Sequence, residues 1–188
     1  GKIITAGLQQ HMQSVQVWDL KFTTPITAPT EIQHATQAGF IACDGMNALC
    51  KASNFIISAV TASQTLAVAA EAAKYINKGC VFLDLNSASP ATKQAAAKVI
   101  EAAGGHYIEA GVMTSIPPYG VRVPMLLGGA TAANIAPQLL GFGMDIKVVS
   151  ADIGVASAIK MSRSVMIKGL EALVIESYTT ARKYGVED

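Results

Sequence analysis

Lys160 is the residue of this sequence best suited to exchange a proton. It lies in the segment GVASAIKMSRS (residues 154–164), where most of its neighbours are apolar. Apolar surroundings disfavour a charged ammonium group, so they lower the pKa of a lysine and suit it to general acid–base catalysis. An exposed lysine on an amphipathic helix has the same spacing, so both interpretations stay open. Ser164 lies on the same helical face, and Arg163 and Lys168 are candidates to meet a substrate carboxylate.

A second candidate site is the polar segment that follows an apolar strand in VFLDLNSASP (residues 81–90). Ligands of open α/β sheets bind at the carboxyl edge of the strands, where this segment is expected to lie. Asn86 and Ser87 are therefore candidates to hydrogen-bond a polar ligand. Ser89 is expected to cap a helix whose first residue is Pro90, because serine and proline are favoured at these two positions.

The amino end of the sequence is consistent with an incomplete dinucleotide-binding unit. Such a unit begins with a strand and a G-x-G-x-x-G turn, whereas this sequence begins with Gly1 at the start of a predicted helix. We interpret Gly1 as the third glycine of that motif, with the first strand absent from the sequence. Asp19 lies near the end of the predicted strand at residues 15–20, where an acidic side chain accepts hydrogen bonds from the adenosine ribose. An aspartate that only turns the chain is an equally good interpretation of Asp19.

The predicted elements alternate between helix and strand over most of the chain. The predicted helices are at residues 1–11, 30–39, 46–52, 62–74, 89–103 and 130–140, and the predicted strands are at 15–20, 40–43, 54–60, 80–85, 106–113, 123–129 and 144–149. This alternation predicts an α/β protein with a Rossmann-type, doubly wound and mostly parallel sheet. Strand signals end before Gly154, so we expect the sheet domain at residues 1–152 and the start of an all-helical domain at 153–188.

Composition narrows the range of functions. The 188 residues are 51% hydrophobic and carry a net charge of +1 without a basic run, so we expect no nucleic-acid and no membrane partner. The longest uncharged stretch, residues 123–144, is interrupted by prolines and glycines and does not suit a membrane span. The three cysteines lack the spacing of a disulfide framework or, together with the histidines, of a metal site. We expect reduced, buried cysteines in a cytoplasmic protein without a metal.

Three segments, taken in order, resemble the β-hydroxyacid dehydrogenases, the family that includes 3-hydroxyisobutyrate dehydrogenase and 6-phosphogluconate dehydrogenase. They are DLNSASP (residues 84–90), the pair Gly128 and Gly129, and GVASAIKMSRS. The similarity extends through EALVIESYTTARKYGVED (residues 171–188), which resembles the start of the family's helical carboxyl domain. The resemblance implies an NAD(P)-dependent oxidoreductase that transfers hydride between the nicotinamide and a small hydroxy acid or sugar acid.

The resemblance implies roles for residues on the substrate side. Lys160 would be the catalytic acid/base, taking the proton of the substrate hydroxyl as hydride leaves the same carbon. Asn86, Ser87 and Ser164 would bind the substrate. Asn86 stands where the family has a hydroxyl residue, and Ser164 stands where it has an asparagine. The segment EAGVMTS (residues 109–115) departs further, because it lacks both glycines of the family's D-x-P-V-S-G-G motif.

On the cofactor side, Val60 and Thr61 match the place where the family's dinucleotide lies along the sheet edge. Together with Gly1 and Asp19 they form the set of expected cofactor-binding residues. Asp19 slightly favours NAD, because its charge would repel the 2′-phosphate of NADP. Lys21, close by in the sequence, leaves NADP as the alternative.

Two other functions stay open. An imine reductase shares this general architecture and reduces C=N bonds, although the presence of Lys160 argues against it. A non-catalytic dinucleotide-binding module would keep the fold without turnover. Apolar residues between Val165 and Ile175 exceed what one helix face against a sheet requires, so we expect a homodimer through the helical domain. A small-molecule substrate is the other expected partner.

Overall fold

A computed structural model describes residues 1–11 and 14–186 of the chain. Helices and strands alternate over this part of it. The α helices are α1 (Lys2–Leu8), α2 (Ala28–Gln37), α3 (Met46–Lys51), α4 (Thr65–Ala73), α5 (Pro90–Ala102), α6 (Ala132–Gly141) and α7 (Val155–Lys183). The strands are β1 (Gln16–Val17), β2 (Ile41–Ala42), β3 (Phe55–Ser58), β4 (Val81–Asp84), β5 (His106–Val112), β6 (Met125–Gly128) and β7 (Ile146–Ser150). Short 3-10 helices lie at Gln9–His11, Leu20–Thr23, Ala62–Gln64 and Gly120–Arg122.

Five strands form the central sheet in the order β3-β4-β5-β6-β7, and β1 pairs with β2 in a separate parallel ribbon. Strands β3, β4 and β5 are parallel, β5 and β6 are antiparallel, and β6 and β7 are parallel. The predicted α/β fold with a mostly parallel sheet is confirmed. The reversal occurs where β5 and β6 are joined by a loop with a short 3-10 helix, since a parallel crossover needs a longer, usually helical, connection.

Alternate residues of the central strands contribute to two cores, one on each face of the sheet. On β4, Val81 and Leu83 belong to the core that α1 and α6 cover, whereas Phe82 belongs to the other. Small residues of α4 and α5 cover the second core closely, namely Ala69, Ala72, Ala96 and Ala97. Helices on both faces make the sheet doubly wound, as predicted.

Strand β1 is shorter than predicted from the sequence. The predicted strand at residues 15–20 contributes only Gln16–Val17 to a sheet, because Asp19 turns the chain. The Asp19 carboxylate accepts a hydrogen bond from the Lys21 backbone N–H at 2.9 Å and begins the 3-10 helix Leu20–Thr23. Asp19 therefore does turn the chain, and its carboxylate is exposed. Its contact with the adenosine ribose stays a prediction.

The three cysteines are free and buried, as predicted. Burial raises the pKa of the Cys50 and Cys80 thiols to about 11, so both are poor nucleophiles at neutral pH. Within residues 1–11 and 14–186, no group of three or more His, Cys, Asp or Glu side chains is arranged to hold a metal ion.

Helix α7 is continuous over 29 residues, a length of about 43 Å. Gly154 precedes it with a φ of 108°, a left-handed conformation that glycine adopts without steric cost. The first turns of α7 pack on the sheet, whereas Val165 and Leu173 are each 69% exposed. Neither α7 nor another helix of the described residues is long and apolar enough to cross a membrane. The predicted division of the chain near residue 152 stays a prediction, and residues 187–188 of its second part lie outside the described residues.

Candidate functional site

Lys160 and Ser87 meet at the carboxyl edge of the central sheet. Ser87 lies in the loop after β4, and Lys160 lies in the second turn of α7. The Lys160 Nζ donates a hydrogen bond to the Ser87 Oγ at 2.7 Å, between residues that are 73 positions apart in the sequence. Two residues predicted from separate segments of the chain therefore form one polar site.

The surroundings of Lys160 lower its pKa from the usual lysine range. Burial is the larger cause, since it disfavours the charged ammonium group, and the positive charge of Lys93 is the second. Lys160 is half-buried. A lysine in this state exchanges a proton closer to neutral pH than a free lysine does, which is the property expected of an acid/base group.

The loop that carries Ser87 is anchored by buried polar side chains. Asp84, at the end of β4, is fully buried, and its carboxylate accepts hydrogen bonds from the Asn86 backbone N–H at 2.8 Å and from the Tyr107 hydroxyl. The Lys93 Nζ forms an ion pair with this carboxylate at 2.9 Å and donates a hydrogen bond to the Asp84 backbone carbonyl at 2.9 Å. Burial lowers the pKa of Lys93, and the Asp84 carboxylate opposes that shift. Buried charges are tolerated when they are paired and hydrogen-bonded in this way, so the network fixes the start of the loop.

Asn86 connects the loops that follow β3 and β4. Its Oδ1 accepts a hydrogen bond from the Val60 backbone N–H at 2.6 Å, and its Nδ2 donates to the Ser58 Oγ at 3.0 Å. Asn86 is only 4% exposed. The amide thus holds Val60, expected on the cofactor side, next to the substrate-side loop. A direct contact between Asn86 and a substrate stays a prediction.

Ser164 lies one helical turn beyond Lys160, at a small cavity of about 90 Å³. The residues that line this cavity are Met113, Lys160, Arg163, Ser164 and Ile167. Arg163 is fixed there, because its Nη1 donates a hydrogen bond to the Met113 carbonyl at 2.7 Å. The cavity therefore brings two cations and a hydroxyl together, a set that suits an anionic or hydroxylated group.

The four expected cofactor-binding residues are exposed. Val60 and Thr61 follow β3 at the carboxyl edge of the central sheet. Gly1 caps the amino end of α1. Asp19 follows β1, outside the central sheet.

Three buried residues that build the site were not predicted from the sequence, namely Lys93, Tyr107 and Glu109. Lys93 and Tyr107 are each 1% exposed, and Glu109 is 0% exposed. Glu109 had a signal, because a carboxylate in the otherwise apolar strand HYIEAGV must be buried and must therefore find hydrogen-bond donors. Lys93 had none, since the same helix also carries an exposed lysine, Lys98.

Comparison with known proteins identifies the family. Residues 1–118 match the model of the NAD binding domain of 6-phosphogluconate dehydrogenase. The chain belongs to this family. The matched residues include Asn86 and Ser87, whereas Lys160 lies beyond them. The resemblance inferred from the sequence is thereby confirmed.

Two longer proteins are similar to this member of the NAD-binding family in sequence. An uncharacterized 28.5 kDa protein of Methanothermus fervidus is 34% identical over 140 residues, which are 74% of this chain and 53% of that protein. A conserved hypothetical protein from Sinorhizobium meliloti 1021, known from its crystal structure, is 36% identical, with a TM-score of 0.86 over 98% of this chain and 62% of that one. The chain therefore spans about half the length of the first protein and 62% of the second.

More distant members of the fold include enzymes. Mycobacterium tuberculosis 3-hydroxyisobutyrate dehydrogenase, in a structure with L-serine, is 17% identical, with a TM-score of 0.81 over 98% of this chain and 62% of that one. An imine reductase from Myxococcus stipitatus in complex with NADP+ is 20% identical, with a TM-score of 0.76 over 98% of this chain and 63% of that one. At these identities the likeness establishes the fold of the chain.

Proposed function

We propose that this chain is the dinucleotide-binding part, together with the catalytic lysine, of an NAD(P)-dependent dehydrogenase of the β-hydroxyacid type. The observation that carries the proposal is the 2.7 Å hydrogen bond from the Lys160 Nζ to the Ser87 Oγ. It joins a lysine of lowered pKa to a hydroxyl at the sheet edge where dinucleotides bind in such folds. Hydride transfer from an alcohol needs a proton acceptor and a substrate anchor at that edge.

The chemistry of Lys160 follows from its protonation state. In the oxidation direction, the neutral amine takes the proton of the substrate hydroxyl while hydride leaves the same carbon and a carbonyl forms. NAD(P), when bound, supplies the nicotinamide carbon that accepts this hydride. In reverse, the Lys160 ammonium returns the proton to the carbonyl oxygen. Because the pKa of Lys160 is lowered, the neutral base is present at a lower pH than in free lysine, and oxidation is favoured above that pKa.

The residues proposed to hold the dinucleotide follow β1 and β3. The Thr61 hydroxyl lies 3.2 Å from the Ser63 hydroxyl on an exposed turn, and the Asp19 carboxylate is exposed with one oxygen bonded to the Lys21 N–H. Hydroxyl donors suit phosphate oxygens and a carboxylate suits ribose hydroxyls, so this set fits the cofactor. Gly1, at the amino end of α1, completes the proposed set. The charge of Asp19 slightly favours NAD over NADP.

The proposed substrate is a small hydroxy acid or sugar acid. Ser87 and Ser164 place hydroxyls near Lys160, and Arg163 adds a fixed positive charge to the adjoining cavity. Hydrogen bonds between a guanidinium and a carboxylate are stronger than those between neutral groups, so an acidic substrate is favoured over a neutral alcohol. Asn86 contributes by keeping the two loops of this edge together.

An imine reductase is the second candidate, because the chain shares its fold with the Myxococcus stipitatus enzyme. The presence of Lys160 favours the alcohol reaction, since a C–OH substrate must lose a proton with its hydride. A dinucleotide-binding module without turnover is the third candidate, because a fold alone does not fix a reaction.

We also propose a cytoplasmic homodimer that forms through the helical part of the chain. Helix α7 exposes apolar side chains such as Val165 (69%), Leu173 (69%) and Ile175 (65%), and such a surface requires a partner. Free, buried cysteines fit a reducing compartment. The net charge of +1 argues against nucleic-acid and membrane partners.

The first test is cofactor binding and turnover by the full-length protein and two lysine variants. NADH and NADPH are titrated separately by nicotinamide fluorescence, and oxidation of small hydroxy acids is then followed. We expect Lys160→Met to keep dinucleotide affinity and to lose turnover by about two to four orders of magnitude. Lys98→Met, the same substitution at an exposed lysine of α5, should keep both.

Each contrary result removes a different part of the proposal. Full activity of Lys160→Met would show that another group is the acid/base. A well-folded protein that binds neither dinucleotide would not be an oxidoreductase. Binding with reduction of imines and no oxidation of alcohols would establish the second candidate, and binding with no turnover of either would establish the third.

A further inference from the structure

Glu109 is a buried carboxylate of β5 that joins the central sheet to the amino end of α7. Its Oε1 accepts hydrogen bonds from the backbone N–H groups of Gly154 at 2.7 Å and Ala156 at 2.9 Å, and its Oε2 accepts one from the Ser157 hydroxyl at 2.8 Å. Backbone N–H groups at the start of a helix have no partner inside the helix. A negative charge at that end also interacts favourably with the helix dipole. Glu109 therefore supplies, from the sheet, the cap that Gly154 has no side chain to provide.

The packing around Glu109 leaves little room for α7 to shift. Gly128 pairs with Glu109 across β5 and β6, and a Cβ at Gly128 would lie 2.7 Å from the Glu109 Oε1. Two positions along β5, a Cβ at Gly111 would lie 3.1 Å from the Ala156 carbonyl oxygen and 3.7 Å from the Lys160 Cβ. Glycines thus let α7 lie directly on the sheet at the level of Lys160.

We infer that Glu109 is a positioning residue for Lys160. Its hydrogen bonds to the start of α7 fix the position of this helix along its axis and its rotation, so that the Lys160 Nζ meets the Ser87 Oγ. Ala156 and Lys160 are separated by about one helical turn, so the register set at Ala156 is passed rigidly to Lys160. Both Glu109 oxygens are bonded to the first turn of α7, so the carboxylate acts through the helix. The inference rests on the proposed acid/base function of Lys160 and adds a second residue to it.

The test compares Glu109→Met with Glu101→Met in the full-length protein. Glu109→Met removes the acceptors at similar side-chain length, and Glu101→Met is the same change at an exposed glutamate of α5. The readout is the titration of Lys160, measured from the pH dependence of its reductive methylation by formaldehyde and a borane reductant, with the Lys160 peptide quantified by mass spectrometry. In the wild type we expect a midpoint below the ordinary lysine range.

In Glu109→Met we expect this midpoint to rise towards the ordinary lysine range, because Lys160 leaves its half-buried position beside Ser87. Glu101→Met should leave it unchanged. A role in stability alone would lower the melting temperature without moving the midpoint. A folded Glu109→Met protein in which Lys160 titrates as in the wild type therefore overturns the inference.

Two milder variants keep the inference testable if Glu109→Met does not fold. Glu109→Gln keeps an acceptor oxygen and removes the charge, and Ser157→Ala removes one donor. Each should move the midpoint in the same direction by a smaller amount, and no movement in either would overturn the inference. Dinucleotide binding should be unchanged in all variants. If the wild type binds no dinucleotide, the proposed function fails, while the titration still reports whether Glu109 positions Lys160.

Discussion

The two aspartates of the candidate site, Asp84 at the end of β4 and Asp19 after β1, have different surroundings. Asp84 is fully buried and is paired with Lys93 and Tyr107. Asp19 is exposed and accepts a hydrogen bond from the Lys21 N–H, two residues further along. The first carboxylate is committed to the protein, and the second has acceptor capacity left for a ligand.

This difference separates two tasks of a binding edge. A buried, fully paired carboxylate fixes the loop behind it, so the polar groups of that loop are in place before a substrate arrives. An exposed carboxylate contributes little to the stability of the fold, and its unpaired oxygen can accept hydrogen bonds from a ligand. The proposed substrate side is therefore organised by the chain itself, whereas the proposed adenosine side leaves its carboxylate free to bind a ligand.

The largest effect should come from removing the buried aspartate. Asp84→Ala should lower the free energy of unfolding by about 3–5 kcal/mol, because it leaves the Lys93 charge buried without its partner. Asp19→Ala should lower it by about 1 kcal/mol or less, as expected for a surface cap. Urea denaturation of both variants measures the difference. Equal effects would show that the two loops do not differ as described.

An intermediate effect on stability is expected from adding a methyl group at Gly128, next to the buried Glu109 carboxylate. Gly128→Ala places a Cβ 2.7 Å from the Glu109 Oε1 and 3.1 Å from the Asp152 carbonyl oxygen, so it should destabilise by about 1–3 kcal/mol. Gly141→Ala meets no atom within 4 Å at the end of α6 and should stabilise by up to about 1 kcal/mol. Thermal unfolding of the pair would detect the opposite signs. A neutral Gly128→Ala would mean that the sheet can yield at this point.

The smallest effect should appear in cofactor affinity. Asp19→Ala should weaken NADH binding about fivefold, close to 1 kcal/mol, and should weaken NADPH binding less, because the 2′-phosphate no longer faces a carboxylate. Asp145→Ala, an exposed aspartate at the start of β7, is the control and should change neither affinity. Fluorescence titration gives the ratio of NADH affinity to NADPH affinity in the wild type and in each variant. An unchanged preference in Asp19→Ala would remove Asp19 from the cofactor site.

Much of the fold could be predicted from local sequence signals. Ser89 and Pro90 begin α5 as predicted, with the Ser89 Oγ accepting from the Thr92 N–H at 3.2 Å. The direction of β6 was harder to predict, because the alternation of helices and strands favours parallel pairing. Only the absence of a helical signal at residues 113–122 indicates that β6 runs antiparallel to β5. The short β1 could not be read from its apolar residues, since a turn two residues later competes with the strand.

The site was predictable residue by residue rather than as an arrangement. Lys160 and Ser87 were identified from their surroundings in the sequence, but their contact spans 73 positions and depends on the fold. Lys93 is nine positions from its partner Asp84, and Glu109 is 45 and 48 positions from its partners Gly154 and Ser157. The apolar strand around Glu109 indicates that it is buried, but the sequence does not indicate which donors it meets. A lysine on a helix is most often solvated, so the burial of Lys93 could not be predicted.

The reversal between β5 and β6 decides where α7 can carry its lysine. Because β6 and β7 run opposite to β5, the chain leaves β7 at the edge of the sheet away from the ligands. Helix α7 therefore starts beside Glu109 and runs along β5 towards the carboxyl end of that strand. Lys160 then contacts Ser87, and Arg163 contacts the Met113 carbonyl. The remaining helix, about 34 Å to residue 183, projects past that edge. The candidate site thus lies at the base of this exposed helix, and a surface that packs on the helix near Lys160 would also border the site.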